Sequence, residues 1–268
     1  MKVGVVGCGT IGSAVAKAME KLPEVEETLL YDRKASAVKG IKAILTKGTV
    51  CSELDELIFK SELIVEAASQ DAAREVIPKA LNMCRNIVIM SVGALVDEPF
   101  WNEMKALAKK NKCKIFLPSG AVCGIDGLGA AGQGELHTVE MITVKAPAAM
   151  KGTKYLEDKG IDLDAISKPT VLYKGPATEA VKLFPRNLNV AASVSLVGLG
   201  FHRTLVTIIA DPNATENIHK IVATGDFGKF TVEMANMPSP KNPRTSYIAV
   251  LSAVSAVKKI VGSVWYGA

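Results

Sequence analysis

The chain has 268 residues, of which 49% are hydrophobic and 22% are charged. This balance is typical of a globular protein and excludes disorder, collagen and coiled coil as descriptions of the whole chain. The 32 Lys and Arg residues exceed the 27 Asp and Glu residues by only five, and no five basic residues follow one another. We therefore expect no nucleic-acid partner.

The cysteines and the N-terminus indicate the cellular compartment. Cys8, Cys51, Cys84, Cys113 and Cys123 are odd in number and form no C-x-x-C pair. Neither a disulfide framework nor a structural zinc site is expected, and a reducing cytosol fits. The sequence begins without a separate apolar leader segment and holds no run of about 18 apolar residues. These features predict a cytoplasmic protein that has no membrane partner.

Short apolar strands alternate with helical segments over the first 118 residues. Strands of this kind, joined by helical crossovers, predict a parallel sheet with both faces covered, which is a doubly wound α/β domain. The predicted strands are Lys2–Gly7, Thr28–Tyr31, Leu63–Glu66, Asn86–Met90 and Lys114–Leu117, and the predicted helices are Thr10–Leu22, Asp71–Asn82 and Glu98–Asn111.

The pattern changes after Pro118. Long strands that do not alternate with helices indicate a mixed or antiparallel sheet, and therefore a second, α+β domain. Its predicted strands are Thr138–Lys145, Arg203–Ala210, Ile218–Thr224 and Gly228–Ala235, and its helices are Gly124–Gly134 and Asn187–Leu199. A last helix is predicted over Thr245–Val264, entered at Asn242–Pro243.

A glycine-rich turn follows the first strand and opens the first helix. The residues at 7–12, GCGTIG, fit G-x-G-x-x-G. In this pattern the first glycine allows a tight turn, the second lets the backbone approach a pyrophosphate, and the third lets the helix pack closely on the strand. The turn predicts a Rossmann domain that binds NAD or NADP, with phosphate contacts at Gly7, Gly9, Thr10, Ile11 and Gly12.

Asp32 lies 20 residues after Gly12, at the end of the second predicted strand. An acidic residue at this place accepts hydrogen bonds from the adenosine ribose, and its charge repels a 2′-phosphate, so NAD is favoured. Arg33 and Lys34 follow directly and can pair with that phosphate, which leaves NADP as the alternative. A plain glycine turn with a surface aspartate, and a solvated Arg33, are the competing interpretations.

Small residues end the next two strands of the first domain. Their size leaves room for a dinucleotide along the carboxyl edge of the sheet, although ordinary turn chemistry explains them too. The predicted contacts are Ala67, Ala68, Ser69, Ser91 and Gly93.

Three domains or segments are expected. Residues 1–118 form the dinucleotide-binding domain, 119–243 the substrate and catalytic α+β domain, and 244–268 a C-terminal helix that packs back on the Rossmann domain. The exposed sheet of the second domain and its helix of small residues favour a twofold homodimer.

A nicotinamide enzyme needs an acid or base near the reacting carbon, and the chain has three histidines. The residues alone do not rank His137, His202 and His219, since a lone histidine on a strand is more often structural. No His, Cys or carboxylate group has metal-ligand spacing, so no metal site is expected. No G-x-S-x-G or close Cys/His pair supports covalent catalysis.

The sequence resembles the L-aspartate dehydrogenases of the prokaryotic type over nearly its whole length. The motifs after residue 117 are more specific than the glycine turn, which many dehydrogenases share. The matching segments are GCGTIG at 7–12, YDR at 31–33, VEAAS at 65–69, SVGAL at 91–95, PSGAVCGIDGL at 118–128, FPRNLNVAAS at 184–193, IIADP at 208–212, NIHKI at 217–221, TGDFG at 224–228 and NPRTS at 242–246.

This resemblance implies oxidation of L-aspartate with NAD or NADP. The product, iminoaspartate, hydrolyses to oxaloacetate and ammonia, and the family is linked to de novo NAD synthesis. The resemblance also implies an active-site histidine at His219 and cofactor contacts at Ala121 and Asn189. Family members usually carry Ile-Gly where this chain has Val122-Cys123, so Cys123 is a packing residue or a thiol that lines the site.

The implied substrate is a small dicarboxylate amino acid, which cations or oriented N–H groups should bind. The candidates in the matching motifs, which the sequence does not rank, are Ser119, Arg186, Asn187, Lys241, Arg244 and Thr245. For Arg244 and Thr245, N-terminal helix chemistry is the alternative. Two other functions stay open: a reductase of the dihydrodipicolinate or homoserine type, whose expected histidine cluster with a lysine is missing, and a non-catalytic dinucleotide sensor.

Overall fold

The computed structural model describes residues 1–184 and 188–267, apart from the side chains of Leu188, Pro243 and Arg244. The chain divides into two compact units. Unit 1 comprises Met1–Gly120, Pro240–Thr245 and the chain from Ala249 onward, and unit 2 comprises Ala121–Ser239 and Ser246–Ile248. The three-part division expected from the sequence stays a prediction.

Unit 1 contains a parallel sheet of six strands in the order β3-β2-β1-β4-β5-β6. The strand order reverses between β1 and β4, which creates a crevice outside the carboxyl ends of these strands. The strands are β1 (Lys2–Val6), β2 (Glu27–Tyr31), β3 (Gly48–Val50), β4 (Leu63–Glu66), β5 (Asn86–Ile89) and β6 (Ile115–Phe116).

Five helices of unit 1 connect these strands: α1 (Thr10–Met19), α2 (Ala35–Lys42), α3 (Leu54–Lys60), α4 (Gln70–Asn82) and α5 (Glu98–Lys110). Helix α1 ends at Met19 rather than at the predicted Leu22, because the residue before Pro23 is disfavoured in the helical conformation. The sequence analysis missed α2, β3 and α3, which are too short to show a clear period.

The sheet of unit 2 is mixed, with the order β11-β10-β7-β9-β8. Strands β7 and β9 are parallel, and the other three pairs are antiparallel. The fold class predicted from the sequence is therefore confirmed. The strands are β7 (Leu136–Lys145), β8 (Thr170–Pro176), β9 (Thr204–Ala210), β10 (Asn217–Gly225) and β11 (Gly228–Asn236), and the helices are α6 (Ile125–Ala131), α7 (Lys154–Asp158), α8 (Ala177–Leu183), α9 (Leu188–Val197) and α10 (Gly200–Arg203).

The C-terminal segment differs from the expectation at its start. Residues Pro238–Ser239 and Asn242–Ser246 are the short strands β12 and β13, and helix α11 spans Tyr247–Val261. The predicted helix entry at Asn242–Pro243 is wrong, since a proline is tolerated in an edge strand that does not need its N–H group. Ala253 and Val257 of α11 lie in the apolar core of unit 1, with Val3, Val5 and Leu30. None of the described helices has the length and hydropathy needed to cross a membrane.

Candidate active site

The glycine turn between β1 and α1 is shaped by two glycines that the fold itself requires. Gly7 has a φ of 93°, and a Cβ placed on it would lie 2.7 Å from the backbone of Ala67. A Cβ on Gly12 would overlap the carbonyl oxygen of Gly7. Any side chain at either position would push the turn away from β4 or from α1, so these glycines are explained without a ligand.

Gly9 is different, because no described part of the chain requires a glycine there. Its φ is −72°, and a Cβ would meet no atom within 4 Å. Helix α1 begins next to it with no side-chain cap and no acidic residue in its first turn, so its N–H groups and positive dipole end are not neutralised. Open space over Gly9 beside uncapped N–H groups fits the pyrophosphate of a dinucleotide.

Asp32 is held against this turn by two backbone hydrogen bonds. The Cys8 N–H group donates to Oδ2 at 2.7 Å, and the Lys34 N–H group donates to Oδ1 at 2.8 Å. Each carboxylate oxygen keeps a further lone pair that a ribose hydroxyl can use. Burial, and then the charge of Asp32, raise the pKa of the Cys8 thiol to about 12, so this cysteine stays protonated and unreactive.

Arg33 is exposed and forms an ion pair with Glu75, with Nη2 and Oε2 2.9 Å apart. A 2′-phosphate that used Arg33 would have to compete with this carboxylate. The contact of Arg33 with the cofactor stays a prediction, and such a contact would require the 2′-phosphate to displace Glu75.

Glu66 is a buried carboxyl group that the sequence analysis passed over. It ends β4 and accepts hydrogen bonds from the Ala68 N–H at 2.8 Å, the Ser91 N–H at 3.0 Å and the Ser91 hydroxyl at 2.9 Å. Burial raises its pKa, and these hydrogen bonds act in the opposite direction. Glu66 thus joins the ends of β4 and β5. The signal in the sequence was an acid that closes an otherwise apolar strand.

Of the other predicted contacts at this edge, the two serines form hydrogen bonds within the protein. The Ser69 hydroxyl accepts a hydrogen bond from the Ala72 N–H and so caps α4, and the Ser91 hydroxyl donates to Glu66. Gly93 lies in a buried one-turn 3-10 helix, while Ala67 is half-buried and Ala68 is exposed. These residues stand at the carboxyl ends of β4 and β5, and their contact with a cofactor stays a prediction.

The three histidines of unit 2 lie in different environments. His137 and His202 are exposed, whereas His219 is only 5% exposed. His219 lies on β10 directly opposite Thr143 of β7, and its Nδ1 is 3.1 Å from the Thr143 hydroxyl. Among the side chains that the structure describes, none is a hydrogen-bond partner of Nε2.

Burial and a neighbouring cation keep the His219 ring neutral. Desolvation first, and then the positive charge of Lys145, lower the pKa of His219 to about 3. Lys145 is two residues beyond Thr143 on β7, so both side chains point to the same face of the sheet. The sequence analysis missed Lys145. The sequence feature that could have indicated its role is the alternation of Val139, Met141 and Thr143, which Lys145 continues on the same face of the strand.

Lys145 also borders a cavity of about 410 Å³ within unit 2. His219 does not line this cavity, so the cavity beside Lys145 is not the space around the imidazole ring. Its walls include Lys145, Lys154, Tyr155, Asp158, Lys182 and Phe184.

Ala121 is half-buried, and its carbonyl oxygen accepts a hydrogen bond from Asn236 Nδ2 at 3.2 Å. Asn236 is 2% exposed, and its Oδ1 is buried with no hydrogen-bond partner in the described part of the chain.

Asn189 is exposed on α9, and its carbonyl oxygen accepts a hydrogen bond from the Ser193 hydroxyl. Cys123 is exposed, and its sulfur lies 3.9 Å from that of Met234.

The candidate substrate residues are dispersed along the chain. Ser119 is half-buried after β6, Lys241 is exposed in the turn before β13, and Thr245 lies within β13. Arg186, Asn187 and the side chain of Arg244 lie outside the described residues.

Three exposed side chains that the sequence spacing did not suggest come together in unit 2. The ligand atoms of Glu135, His137 and Asp226 lie within 4.8 Å of one another. His137 Nε2 is 3.3 Å from an Asp226 carboxylate oxygen, an ion pair when the histidine is protonated. The pair explains the grouping, and the expectation of no metal site stays a prediction.

Comparison with known proteins gives matches over almost the whole chain. A family model described as "Homoserine dehydrogenase, NAD binding domain" matches residues 7–118, and one described as "Aspartate dehydrogenase, C-terminal" matches residues 126–260. The L-aspartate dehydrogenase of Methanosarcina barkeri is 44% identical, covering 100% of this chain and 99% of the relative. That of Nitrosopumilus maritimus is 40% identical, covering 96% of each.

Solved structures are similar as well. The crystal structure of an aspartate dehydrogenase from Thermotoga maritima has a TM-score of 0.78 and 28% identity, covering 100% of this chain and 99% of that one. A homoserine dehydrogenase from Thiobacillus denitrificans has a TM-score of 0.64 at 12% identity, covering 97% of this chain and 73% of that one, which is a similarity of fold alone.

Proposed function

The chain belongs to the aspartate dehydrogenase family, and on that premise we propose how its own residues carry out the reaction. The activity is oxidation of L-aspartate to iminoaspartate with a nicotinamide dinucleotide. The proposal concerns the catalytic residue, the residues that bind the substrate, the preferred dinucleotide and the assembly.

The observation that carries the proposal is a neutral, buried His219 with Thr143 on one ring nitrogen and Lys145 beside it. When Nδ1–H donates to the Thr143 oxygen, Nε2 carries the lone pair and is a proton acceptor. A threonine hydroxyl can accept from Nδ1 or donate to it, and we assign to His219 the tautomer in which Nδ1 carries the proton. His219 is proposed as the catalytic residue and Thr143 as its positioning residue.

Lys145 supplies the charge that a dicarboxylate needs. Its ammonium is close enough to depress the pKa of His219, so a substrate carboxylate bound to it lies within reach of the imidazole. That carboxylate also offsets the positive charge, which raises the pKa of His219 from its low value in the free enzyme. Binding of the substrate thereby turns a poor base into a better one.

The proton movements follow from this arrangement. The α-ammonium group of aspartate must lose a proton before its Cα can release hydride, and Nε2 of His219 accepts that proton. A nicotinamide dinucleotide held at the glycine turn would supply the hydride acceptor. Loss of hydride from the neutral amine leaves a protonated imine, to which water adds with release of a proton. The imidazolium then returns its own proton to the departing nitrogen, which gives oxaloacetate and ammonia. Acid–base catalysis of this kind contributes about 10²–10⁴-fold to a rate.

We further propose NAD as the preferred cofactor, with NADP as a second one, because Asp32 is fixed directly after β2, where an acidic residue of this fold binds adenosine ribose hydroxyls. The contacts predicted at Ala121 and Asn189, and a place of iminoaspartate in NAD biosynthesis, are part of the same proposal. A cytoplasmic location is proposed from the free, unpaired cysteines.

A homodimer is proposed through the face of the unit 2 sheet that does not carry His219. Val171 and Leu205, on adjacent strands, are 56% and 41% exposed there, and a second copy of the chain would cover them. Light scattering should give the mass of two chains, and Leu205→Lys should give that of one. A wild-type mass of one chain would contradict the proposal.

The direct test is NADH or NADPH formation at alkaline pH with L-aspartate, homoserine and malate as separate substrates. We expect a signal with L-aspartate and none of comparable size with the other two. Absence of an aspartate-dependent signal with both cofactors would reject the proposed function.

A further inference from the structure

A second cavity, of about 340 Å³, lies in unit 1 between α1 and α2. It begins at the glycine turn and is lined by two lysines, Lys17 of α1 and Lys241 of the turn before β13. Among the described residues around it there is no acidic side chain. The cavity is therefore a positively charged recess next to the predicted pyrophosphate site.

The ammonium groups of Lys17 and Lys241 are close together. Lys241 lies within hydrogen-bonding range of Lys17, and this proximity, followed by burial, lowers the pKa of Lys17. Other lysines of unit 1, such as Lys2 and Lys79, form ion pairs with carboxylates. In the described part of the chain, neither Lys17 nor Lys241 has an acidic partner. Two like charges in contact repel each other, and an anion between them removes that repulsion.

Hydroxyl groups complete the recess. Thr10 and Ser36 line it at the first turns of α1 and α2, and no described residue forms a hydrogen bond with either hydroxyl. Ser13 also lines it and donates to the Cys8 carbonyl group, which leaves its oxygen as an acceptor. Neither helix has a side-chain cap or an acidic residue in its first turn. Two cations with adjacent hydroxyl donors are the partners that a multiply charged oxyanion requires.

We propose that this recess binds a phosphate dianion through Lys17 and Lys241. Two sources offer that chemistry: the 2′-phosphate of NADP, and free inorganic phosphate. The NADP source is suggested by Gly9 and Thr10, which belong to the glycine turn and also line this recess. It is suggested as well by the ion pair of Arg33 with Glu75, because a 2′-phosphate would have to compete with Glu75 for Arg33. The NADP source depends on the dinucleotide binding proposed above, whereas the inorganic source does not.

The experiment compares the wild type with Lys17→Met and with the double variant Lys17→Met/Lys241→Met. Lys39→Met is the matched control, because Lys39 is on α2 but does not line the recess. The thermal midpoint is measured with inorganic phosphate and with chloride at equal ionic strength. The ratio of kcat/KM for NADP to that for NAD is measured with L-aspartate. Circular dichroism verifies that each variant is folded.

Phosphate should raise the midpoint of the wild type and of Lys39→Met, and this rise should be absent in the double variant. If the source is NADP, the NADP-to-NAD ratio should fall about tenfold in Lys17→Met, and inorganic phosphate should compete with NADP but not with NAD in the wild type. If the source is free phosphate, the midpoint responds as stated while the ratio is unchanged and phosphate does not compete with NADP.

The proposal is overturned if phosphate does not stabilise the wild type, or stabilises the double variant equally. If the variants do not fold, the wild type alone decides, because phosphate that neither stabilises it nor competes with NADP contradicts both sources. Aspartate oxidation by the wild type with NAD is scored separately, so loss of the anion site and loss of the proposed function give different results.

Discussion

Replacing Gly7 and Gly9 by alanine, one at a time, separates the role of the fold from the role of the cofactor in the glycine turn. At Gly7 the new Cβ would lie 2.7 Å from backbone atoms of Ala67, on a residue whose φ is 93°. A left-handed non-glycine residue costs about 1–2 kcal/mol, and an overpacked contact costs about 1–3 kcal/mol. Gly7→Ala should thus lose about 2–5 kcal/mol, which lowers Tm by at least about 4 °C.

Gly9→Ala should behave in the opposite way. Its Cβ meets no atom within 4 Å and its φ is −72°, so the free energy of unfolding should change by less than about 1 kcal/mol. The methyl group would instead occupy the space where a pyrophosphate approaches the backbone. A penalty of about 1.4–2.8 kcal/mol there weakens NAD binding about tenfold to hundredfold.

Calorimetry gives Tm for both variants, and titration calorimetry gives the Kd of NAD for Gly9→Ala. The expected pattern is a stable Gly9→Ala protein with weak NAD binding and an unstable Gly7→Ala protein. An unchanged Kd of NAD in Gly9→Ala would refute the argument that the open space over this residue serves the dinucleotide.

The remaining predictions concern the surroundings of His219. Lys145→Met should raise KM for L-aspartate at least about tenfold while KM for NAD is unchanged; Lys145→Arg should recover part of the loss, and equal effects on both KM values would contradict the role of Lys145. Thr143→Val should lower kcat about tenfold and shift the kcat–pH profile, because the ring loses the partner that sets its tautomer; an unmoved profile would contradict a positioning role. The pKa of His219 is 6.5 in the unfolded chain and about 3 in the fold, so between these pH values the unfolded state binds the extra proton. The free energy of unfolding should therefore decrease as pH falls from 6.5 toward 3, by up to about 1.4 kcal/mol per pH unit. Denaturant titrations of the wild type and His219→Asn should differ in this slope, and parallel curves would exclude a buried neutral imidazole.

The β1-turn-α1 unit was predictable because each of its parts has a local signal. An apolar strand runs directly into the G-x-G-x-x-G pattern, and the strand order places the turn at the crevice between β1 and β4. The long strands after Pro118, which do not alternate with helices, likewise indicated a mixed or antiparallel sheet. Local patterns failed for α2, β3 and α3, where elements of eight, three and seven residues are too short to show a period.

The residues around His219 were not predictable in the same way. Thr143 faces it only because β7 and β10 pair in one particular register, which the separation of 76 positions along the chain does not reveal. Lys145 and Glu66 are charged residues at the ends of two predicted strands, where charged side chains are usually exposed. Their roles arise from burial and neighbouring groups, and these belong to the folded chain.

The central claim is that His219 exchanges the proton that allows aspartate to be oxidised, and single-turnover kinetics test it most directly. The rate of NADH formation with saturating L-aspartate should fall about 10²–10⁴-fold in His219→Ala, with an unchanged Kd of NAD. The matched variant His202→Ala, at an exposed histidine of the same unit, should keep the wild-type rate. A wild-type rate in His219→Ala would contradict the account.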